Sequence, residues 1–291
     1  MGGIAKPWIP AIYSKGITNS RALSQKSLDI ISKELPFNMS EKNSDLDLVY
    51  IVKFSDKNDD LKYSLRSVAK FCNYRKIWIV GYKPKWVQNV EYIETLQTGT
   101  KWQNSMLNWK TACETAGISD NFVLMNDDFI AIHPINDIKK DVNVCLSDIP
   151  TVADRYSKKH ASKWQTGFIS AEELLTELHS KTFFNMETHL PFIVNKKQYL
   201  KMLELPQIKN FDNTKVLHKR SIYYNLYYNS LMQKPRKITD VKISLHKDLS
   251  DSFLNENWIS VFDDVIGNLI KYPRVNQFLR KLFPNKCIYE V

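Results

Sequence analysis

Two adjacent carboxylates, Asp127 and Asp128, directly follow an apolar run at residues 122–125. Such a run predicts a short buried strand, and open α/β sheets place their ligands at the carboxyl ends of their strands. Two carboxylates held together need a compensating cation, and Mg²⁺ and Mn²⁺ prefer oxygen ligands of this kind. The pattern therefore predicts a divalent metal site at Asp127 and Asp128, with a plain polar turn through Asn126 as the alternative.

The segments before this turn alternate between strand and helix patterns. Strands are predicted at residues 46–54, 77–81 and 90–93, and helices at residues 61–71 and 102–116. A strand, a helix and a second strand within about 35 residues indicate a right-handed βαβ unit. The predicted fold class is α/β, a Rossmann-like, mostly parallel sheet flanked by helices. In this order the first strand and the acidic turn end at one sheet edge, where nucleotides bind in doubly wound folds.

Composition narrows the classes of protein that fit. The 291 residues are 43% hydrophobic and 12% aromatic, which excludes general disorder. No apolar run approaches the roughly 18 residues of a membrane span, and the N-terminal residues lack the pattern of a signal peptide. The four cysteines are widely scattered, which favours reduced structural thiols over a zinc site or a disulfide framework. We therefore expect a cytoplasmic protein.

Positive charge is concentrated in two segments of a chain whose formal net charge is +10. Residues 209–247 contain nine Lys or Arg and two Asp, and the first 33 residues contain five Lys or Arg and one Asp. Such segments suit nucleic acid, an anionic membrane surface or the phosphates of a nucleotide, with solvated surface lysines as the alternative. The predicted organisation is an N-terminal arm at 1–45, a nucleotide-sugar-binding domain at 46–205 and a basic, mainly helical, acceptor-side part at 206–291.

Several segments resemble a known family. Residues 61–68, 76–81 and 84–86 look like the second conserved region of the Stealth family of sugar-phosphate transferases. Residues 122–129 are similar to the strand and acidic turn of that family and of glycosyltransferases with the GT-A fold. The resemblance covers roughly residues 46–135, and it implies a GT-A-like domain that binds a nucleotide sugar through a divalent metal.

Two later segments, 187–192 and 220–225, resemble the His-Pro and Arg-x-x-Tyr-x-Asn segments of such transferases. The sequence departs from the strict Asp-x-Asp triplet, because Asn126 stands at its first position. This departure bears on the metal dependence and leaves the position of the site unchanged.

The candidate residues form four groups. Metal ligands are Asp127 and Asp128. Candidates for the base that deprotonates the acceptor lie after the acidic turn, with the first two favoured as a pair: Glu187, His189, Asp148 and Asp154. Candidates for donor binding carry charged or amide side chains: Lys53, Asp56, Arg66, Asn104, Lys110 and Arg220. Candidates for acceptor or nucleic-acid binding interleave tyrosines with cations: Lys219, Tyr223, Tyr227, Lys234, Arg236 and Lys237. Solvated cations and a plain helix core are the alternatives for the helical residues.

The function predicted from these features is a nucleotide-sugar-dependent glycosyltransferase, a hexosyltransferase with a UDP-sugar donor. By analogy of size, charge and composition with bacteriophage DNA-base glycosyltransferases, the predicted acceptor is a hydroxymethylated or already glycosylated base of phage DNA. The location would then be the host cytoplasm. Two alternatives remain: a Stealth-type transferase that moves a hexose 1-phosphate onto a glycan, and a non-catalytic nucleic-acid-binding protein with a degenerate transferase domain.

Overall fold

The structure, a computed structural model, describes residues 22–32, 44–157, 160–212, 214–231, 234–244 and 247–291, without the side chains of 228–231. The strands in chain order are β1 (Asp47–Val52), β2 (Ile77–Gly81), β3 (Glu91–Glu94), β4 (Asn121–Asn126), β5 (Phe129–Ala131), β6 (Val144–Cys145), β7 (Phe192–Asn195), β8 (Arg236–Lys237), β9 (Lys242–Ile243) and β10 (Trp258–Val261). The helices are α1 (Gln25–Ser32), α2 (Asp59–Phe71), α3 (Lys101–Glu114), α4 (Ile138–Asp141), α5 (Ile149–Ser157), α6 (Lys163–Glu177), α7 (Lys196–Glu204), α8 (Pro206–Lys209), α9 (Lys219–Leu231) and α10 (Pro273–Leu282).

The central sheet contains five strands in the order β3-β2-β1-β4-β7. The first four are mutually parallel, and β7 runs antiparallel to β4. Strands β1 and β4 are direct neighbours, with Ile51 paired to Asn126 at their carboxyl ends. The predicted α/β fold class with a mostly parallel sheet is confirmed, and the end of β1 and the acidic turn share one edge as expected.

Side chains of the central strands alternate between two hydrophobic clusters, as the twofold period of a strand requires. Leu48 and Tyr50 of β1 pack with Val123 of β4 against α2 and α10. Val49 and Phe122 face the other way and pack against α3, α7 and α9. Burial on both faces explains why the strands read as continuous apolar runs.

Helices α2 and α3 both begin near this sheet edge, and hydrogen bonds from capping side chains fix their first turns. The side chain of Asn58 caps α2 by accepting a hydrogen bond from the Leu61 amide. Helix α3 begins with a capping box, in which Thr100 and Gln103 each bond the other's backbone N–H. Such caps satisfy amides that the first helical turn leaves without partners. The first turns of α2 and α3 are thereby anchored near the ends of the parallel strands.

The C-terminal part combines helices with strands. Helices α8, α9 and α10 lie in this part, but it is not mainly helical as predicted, because residues 236–261 contribute β8, β9 and β10. Strand β10 pairs antiparallel with β5 and parallel with β9, which forms a second sheet of three strands. Because β5 directly follows the acidic turn, this second sheet fixes the far side of that turn. The predicted N-terminal arm is represented by α1, which packs through Ile30 on the main core; its residues 1–21 and 33–43 lie outside the described residues.

Candidate active site

The acidic turn links β4 to β5 and is held by hydrogen bonds from three other segments. Asp128 Oδ2 accepts a hydrogen bond from the Ser260 hydroxyl at 2.7 Å and lies 3.5 Å from Lys242 Nζ. Asp127 Oδ2 accepts a hydrogen bond from Asn58 Nδ2 at 2.9 Å. Strands β9 and β10 therefore orient one carboxylate, and the loop between β1 and α2 orients the other.

Negative charge accumulates around this turn. Burial, followed by repulsion from Asp128, raises the pKa of Asp127 to about 6. Burial and then repulsion from Asp127 raise the pKa of Asp60, in the first turn of α2, to about 8. Lys53 forms an ion pair with Asp263 at 2.8 Å. The cations near the turn thus compensate its carboxylates only in part.

The sequence predicts a divalent cation at this turn, and the donor set can be compared with what such an ion needs. Within the described ranges, no group of three or more His, Cys, Asp or Glu side chains is arranged to hold a metal ion. Asp127 and Asp128 each engage Oδ2 with protein donors, and Oδ1 of each has no hydrogen bond from a described residue. Nucleotide-dependent enzymes bind Mg²⁺ through one or two carboxylates, substrate phosphates and waters. The two aspartates therefore fit a cation that arrives with a diphosphate.

A cavity of about 220 Å³ opens directly beside the turn. Asn126 and Phe129, which flank the two aspartates in the sequence, both line it. The remaining lining residues come from α3, the start of α6, the segment before β7 and the start of α9: Lys101, Trp102, Ser105, Trp109, Trp164, Glu187, His189, Lys219 and Arg220. The cavity therefore joins elements that are up to 119 positions apart in the chain, from Lys101 to Arg220.

Helix α6 reaches the cavity because it packs very closely on the segment that leads into α9. A Cβ atom on Gly167 would lie 2.8 Å from His218 Nε2 and from the Val216 carbonyl oxygen. The same imidazole nitrogen lies 2.9 Å from the carbonyl oxygen of Trp164. Glycine at this position allows the close approach, which places the Trp164 indole at the cavity wall.

Glu187 and His189, the two favoured candidates for the catalytic base, both line the cavity. Glu187 Oε1 accepts hydrogen bonds from the backbone N–H and the hydroxyl of Ser221, each at 3.2 Å. His189 has a left-handed backbone with φ of 46°. Burial, followed by the nearby cations Lys242 and Arg220, lowers the pKa of His189 to about 3, so its imidazole is neutral at physiological pH. Because Lys242 Nζ lies 3.4 Å from Nδ1, the neutral ring accepts at Nδ1 and carries its proton on Nε2.

Arg220 and Lys219 begin α9 and line the same cavity. The Arg220 guanidinium donates to the Leu190 carbonyl oxygen at 2.6 Å and stacks near the rings of Phe129 and Phe192, at 5.3 and 5.8 Å from their centroids. Lys219 Nζ lies 5.0 Å from the ring centroid of Trp109. Burial lowers the pKa of Lys219 to about 8. Arg220 was predicted for donor binding and Lys219 for acceptor binding, and the structure places both at the same cavity.

The donor candidates Lys53 and Asp56 follow β1 at the sheet edge. Both are exposed, and Asp56 accepts a hydrogen bond from the Tyr82 hydroxyl. Tyr82 follows β2, and its ring centroid lies 4.4 Å from that of Phe54, whose side chain is 70% exposed. An accessible aromatic pair therefore lies over the ends of β1 and β2.

Three other donor candidates have structural contacts elsewhere. Arg66 forms a bidentate ion pair with Glu290, with distances of 2.6 and 2.7 Å. Asn104 binds both backbone groups of Gly99 and so shapes the loop before α3. Lys110 is exposed on α3 and lies 3.6 Å from Glu114, one turn further along. None of these three side chains lines the cavity beside the acidic turn.

Two catalytic candidates also lie outside the cavity. Asp148 Oδ1 accepts a hydrogen bond from the Thr151 amide at 2.8 Å, as a cap at the start of α5. Hydrogen bonds from the side chain and then the backbone of Thr151 lower the pKa of Asp148. Asp154 is exposed on α5. A polar residue at a helix start and an exposed helical carboxylate have common structural uses, which a sequence pattern cannot separate from catalytic ones.

The acceptor candidates are divided between core and surface. Tyr223 is 3% exposed and bonds the Asn195 amide and Gln198 through its hydroxyl. Tyr227 packs against it with ring centroids 5.4 Å apart. In the segment around β8, Arg236 forms an ion pair with Glu256. The other two acceptor candidates of this segment, Lys234 and Lys237, are exposed.

Several residues at the site were not predicted for it. Asn58, Lys242 and Ser260 hold the acidic turn, and three tryptophans line the cavity: Trp102, Trp109 and Trp164. The tryptophans carried a compositional signal, since aromatic side chains are common in ligand pockets. Lys242 and Ser260 carried none, because their strands reach the turn only through tertiary pairing.

No protein-family model and no curated protein matches this sequence. Three solved structures are similar to it in part. The apo structure of WbbM, a bifunctional glycosyltransferase, is 14% identical over 84% of this chain and 50% of its own, with a TM-score of 0.49. An active-site mutant of LgtC is 10% identical over 62% of this chain and 70% of its own, with a TM-score of 0.37. The glycosyltransferase GlyE of Streptococcus pneumoniae TIGR4 is 10% identical over 68% of this chain and 46% of its own, with a TM-score of 0.33.

The chain thus spans about half the length of the WbbM and GlyE chains. Its chemistry is inferred from its own residues. Among the helices that the structure describes, none combines the length and apolar character that crossing a membrane requires.

Proposed function

We propose that this protein is a nucleotide-sugar-dependent glycosyltransferase. One observation carries the proposal: Asn126 and Phe129 line a cavity of about 220 Å³, while Asp127 and Asp128 between them form the acidic turn at the end of β4. A ligand with a diphosphate at the turn would present the group attached to that diphosphate to the cavity. A nucleotide sugar has this arrangement, because its diphosphate joins a nucleoside to a sugar ring.

The nucleoside would lie over the ends of β1 and β2. The exposed ring of Phe54, 4.4 Å from that of Tyr82, offers a surface on which a base can stack. Asp56, which accepts a hydrogen bond from Tyr82, is placed for the ribose hydroxyls or the base edge. This is the crevice in which open α/β sheets bind nucleotides. A UDP-sugar is the donor that we propose.

The leaving diphosphate needs positive charge as the bond to the sugar breaks. Asp127 and Asp128 would hold the divalent cation, which when bound offsets charge on the diphosphate. Lys53 lies at the same edge and is bound to Asp263 at 2.8 Å, with both side chains more than half exposed. A phosphate can therefore replace that carboxylate as the partner of Lys53 at little cost, since exposed pairs contribute about 1 kcal/mol or less.

Glu187 is the residue that we assign as the base. The acceptor hydroxyl attacks the anomeric carbon, the carbon–oxygen bond to the diphosphate breaks with its electron pair on the diphosphate, and the hydroxyl proton passes to the Glu187 carboxylate. Its two hydrogen bonds from Ser221 fix the orientation of that carboxylate at the cavity wall. His189 is neutral and carries a proton on Nε2, which would donate a hydrogen bond to the sugar or the acceptor and so position the reacting groups.

For the acceptor we propose a hydroxymethylated base in DNA. Support comes from the formal net charge of +10 and from two exposed cations of the segment around β8, Lys234 and Lys237. Exposed lysines contact phosphates without reading sequence, which suits a base-modifying enzyme that binds many sites. A glycan acceptor is the competing assignment.

The experiment is to incubate the protein with a UDP-sugar and Mg²⁺ or Mn²⁺, with hydroxymethylated duplex DNA or an oligosaccharide as acceptor. Mass spectrometry then identifies both products. Release of UDP with a mass gain of one hexose supports glycosyl transfer, and the acceptor that gains mass identifies the substrate class. Release of UMP with a gain of hexose phosphate would instead establish the Stealth-type reaction. DNA binding with no nucleotide released from any donor would establish the non-catalytic alternative.

A further inference from the structure

The cavity beside the acidic turn has an unbalanced charge. Its lining includes three cations, Lys101, Lys219 and Arg220, and one carboxylate, Glu187. That carboxylate already accepts two hydrogen bonds from Ser221 through Oε1. A neutral sugar would leave the excess of positive charge uncompensated in a partly desolvated space, which is costly.

Among these cations, the Arg220 side chain gives the strongest indication of a missing anionic partner. It is 7% exposed, and among the described residues its guanidinium makes one hydrogen bond, to the Leu190 carbonyl oxygen. A guanidinium has five N–H donors, and buried arginines are usually paired with an anion. No carboxylate of the described chain lies within ion-pair distance of it, and Glu187 and Asp128 act on it only at longer range. The aromatic rings on either side, Phe129 and Phe192, provide no acceptor of that kind.

Lys219 repeats the pattern next to Arg220. Its ammonium lies over the ring of Trp109, and no ion pair to it occurs within the part of the chain that the structure describes. Two helices also begin at this cavity, the 14-residue α3 and the 13-residue α9. The amino ends of helices carry partial positive charge, which favours an anion further.

The other walls are aromatic. The indoles of Trp102, Trp109 and Trp164 line the cavity. Such faces pack against the C–H face of a sugar ring, while polar groups at the rim fix its orientation. At about 220 Å³ the cavity is smaller than the roughly 300–1,000 Å³ of pockets for drug-sized ligands, so it admits one ring and not a nucleotide.

We propose that this cavity binds a glycosyl group that carries an anionic substituent, a carboxylate or a phosphate, with Arg220 and Lys219 on the anion and the indoles on the ring. The assignment of the ligand as a glycosyl group rests on the proposed function. The planar guanidinium matches the paired oxygens of a carboxylate or phosphate. A uronosyl or phosphorylated sugar would thus be selected over a neutral hexose.

The test measures binding of glucuronate, glucose 6-phosphate and glucose by saturation-transfer NMR, with wild type and two variants, Lys219→Met and Arg220→Lys. We expect the wild type to prefer one or both anionic sugars over glucose, and that preference to fall about tenfold in each variant. The sugar with the larger preference identifies the source of the anion. A matched control is Lys215→Met, which removes an exposed cation of the same segment and should leave the preference unchanged. Equal binding of the three sugars, or no binding, overturns the proposal.

UDP alone is titrated in parallel by calorimetry and separates this inference from the proposed function. If the two variants weaken UDP as strongly as they weaken the anionic sugars, the cations serve the diphosphate and the proposal is overturned. Binding of anionic sugars without binding of UDP keeps the cavity assignment and removes the proposed donor. Lys219→Met carries the test if Arg220→Lys fails to fold, because Lys219 is only half-buried and makes no hydrogen bond through its side chain to a described residue.

Discussion

The acidic turn and the cavity lie side by side and differ in sign of charge. At the turn, Asp127, Asp128 and the neighbouring Asp60 and Asp263 outnumber the two lysines Lys53 and Lys242. Repulsion between carboxylates adds to burial in raising the pKa of Asp127. In the cavity, Arg220 and Lys219 outweigh Glu187, and burial lowers the pKa of Lys219. Under the proposed function, a single ligand would bring a cation to the first region and an anion to the second. A metal-bound diphosphate attached to an acidic sugar meets both requirements.

The largest expected effect comes from removing one carboxylate of the turn. Asp128→Ala should lower the rate of UDP release by at least about 10²-fold, because charge on the leaving diphosphate would lose its support. Asp127→Asn should be less severe if that residue mainly orients its neighbour. The measurement is UDP release at saturating donor.

The matched control is Ser260→Ala, which removes the 2.7 Å hydrogen bond to Asp128 and keeps the carboxylate. It should cost less activity than Asp128→Ala, and thermal melting should show all three variants folded. Full activity of Asp128→Ala with unchanged metal dependence would remove the acidic turn from the active site.

Arg66 lies outside both the acidic turn and the cavity, so its substitution should change the free energy of unfolding and leave donor binding unchanged. Arg66→Ala should destabilise the fold by about 3 kcal/mol, because it leaves the nearly buried Glu290 carboxylate without its bidentate partner. UDP affinity of the folded variant should be unchanged. Urea unfolding and calorimetry measure the two quantities, with Lys110→Ala as the exposed control, expected within about 0.5 kcal/mol of wild type. Lost UDP affinity in a folded Arg66 variant would return this residue to the donor site.

The charge of the cavity should respond to pH. The pKa of Lys219 is lowered to about 8, so its charge is present below that pH and lost above it. Glu187 opposes this loss, whereas Arg220, Lys101 and the neutral His189 on the facing elements do not. Affinity for glucuronate, which is ionised throughout, should fall by up to about tenfold between pH 7 and pH 9. The fall should vanish in Lys219→Met, and a flat profile in the wild type would show that Lys219 does not contact the anion.

The smallest effect is expected for the exposed lysines around β8 and concerns the salt dependence of DNA binding. Replacing Lys234 and Lys237 by Ala should reduce the dependence of log affinity for DNA on log salt by about two units, since each lost phosphate contact removes about one. UDP affinity should barely change. Adding Arg236→Ala should contribute less than a full unit, because that side chain is already paired with Glu256. No change in the slope would identify these residues as solvated surface cations.

The sequence was sufficient where the signal is local. Apolar runs predicted the strands around Tyr50 and Leu124, and the carboxylates after β4 could be placed at a sheet edge because parallel strands end there together. Helix α3 was predicted from its apolar spacing and begins one residue earlier than expected, where Thr100 caps it. Local periodicity and capping are readable without knowledge of the tertiary structure.

Tertiary contacts decided what the sequence could not. Arg66 was predicted for donor binding, but it pairs with Glu290, which lies 224 positions away in the chain. Tyr223 had the spacing of either a stacking surface or a core, and packing against α7 and β7 placed it in the core. The basic segment 209–247 suggested one surface, yet the fold directs Lys242 to Asp128 and Arg220 into the cavity. Charge patterns give the number of cations in a segment and not the direction in which they point.

The Asn58 side chain has a dynamic consequence. The Asn58 backbone adopts a left-handed conformation with φ of 32°, which asparagine tolerates well. The oxygen and the nitrogen of its side-chain amide bind different elements. The oxygen caps α2 through the Leu61 amide, and the nitrogen holds Asp127. Any ligand that steadies Asp127 should therefore also steady the first turn of α2. Slower hydrogen–deuterium exchange of the Leu61 amide would report occupancy of the acidic turn without any assay of turnover.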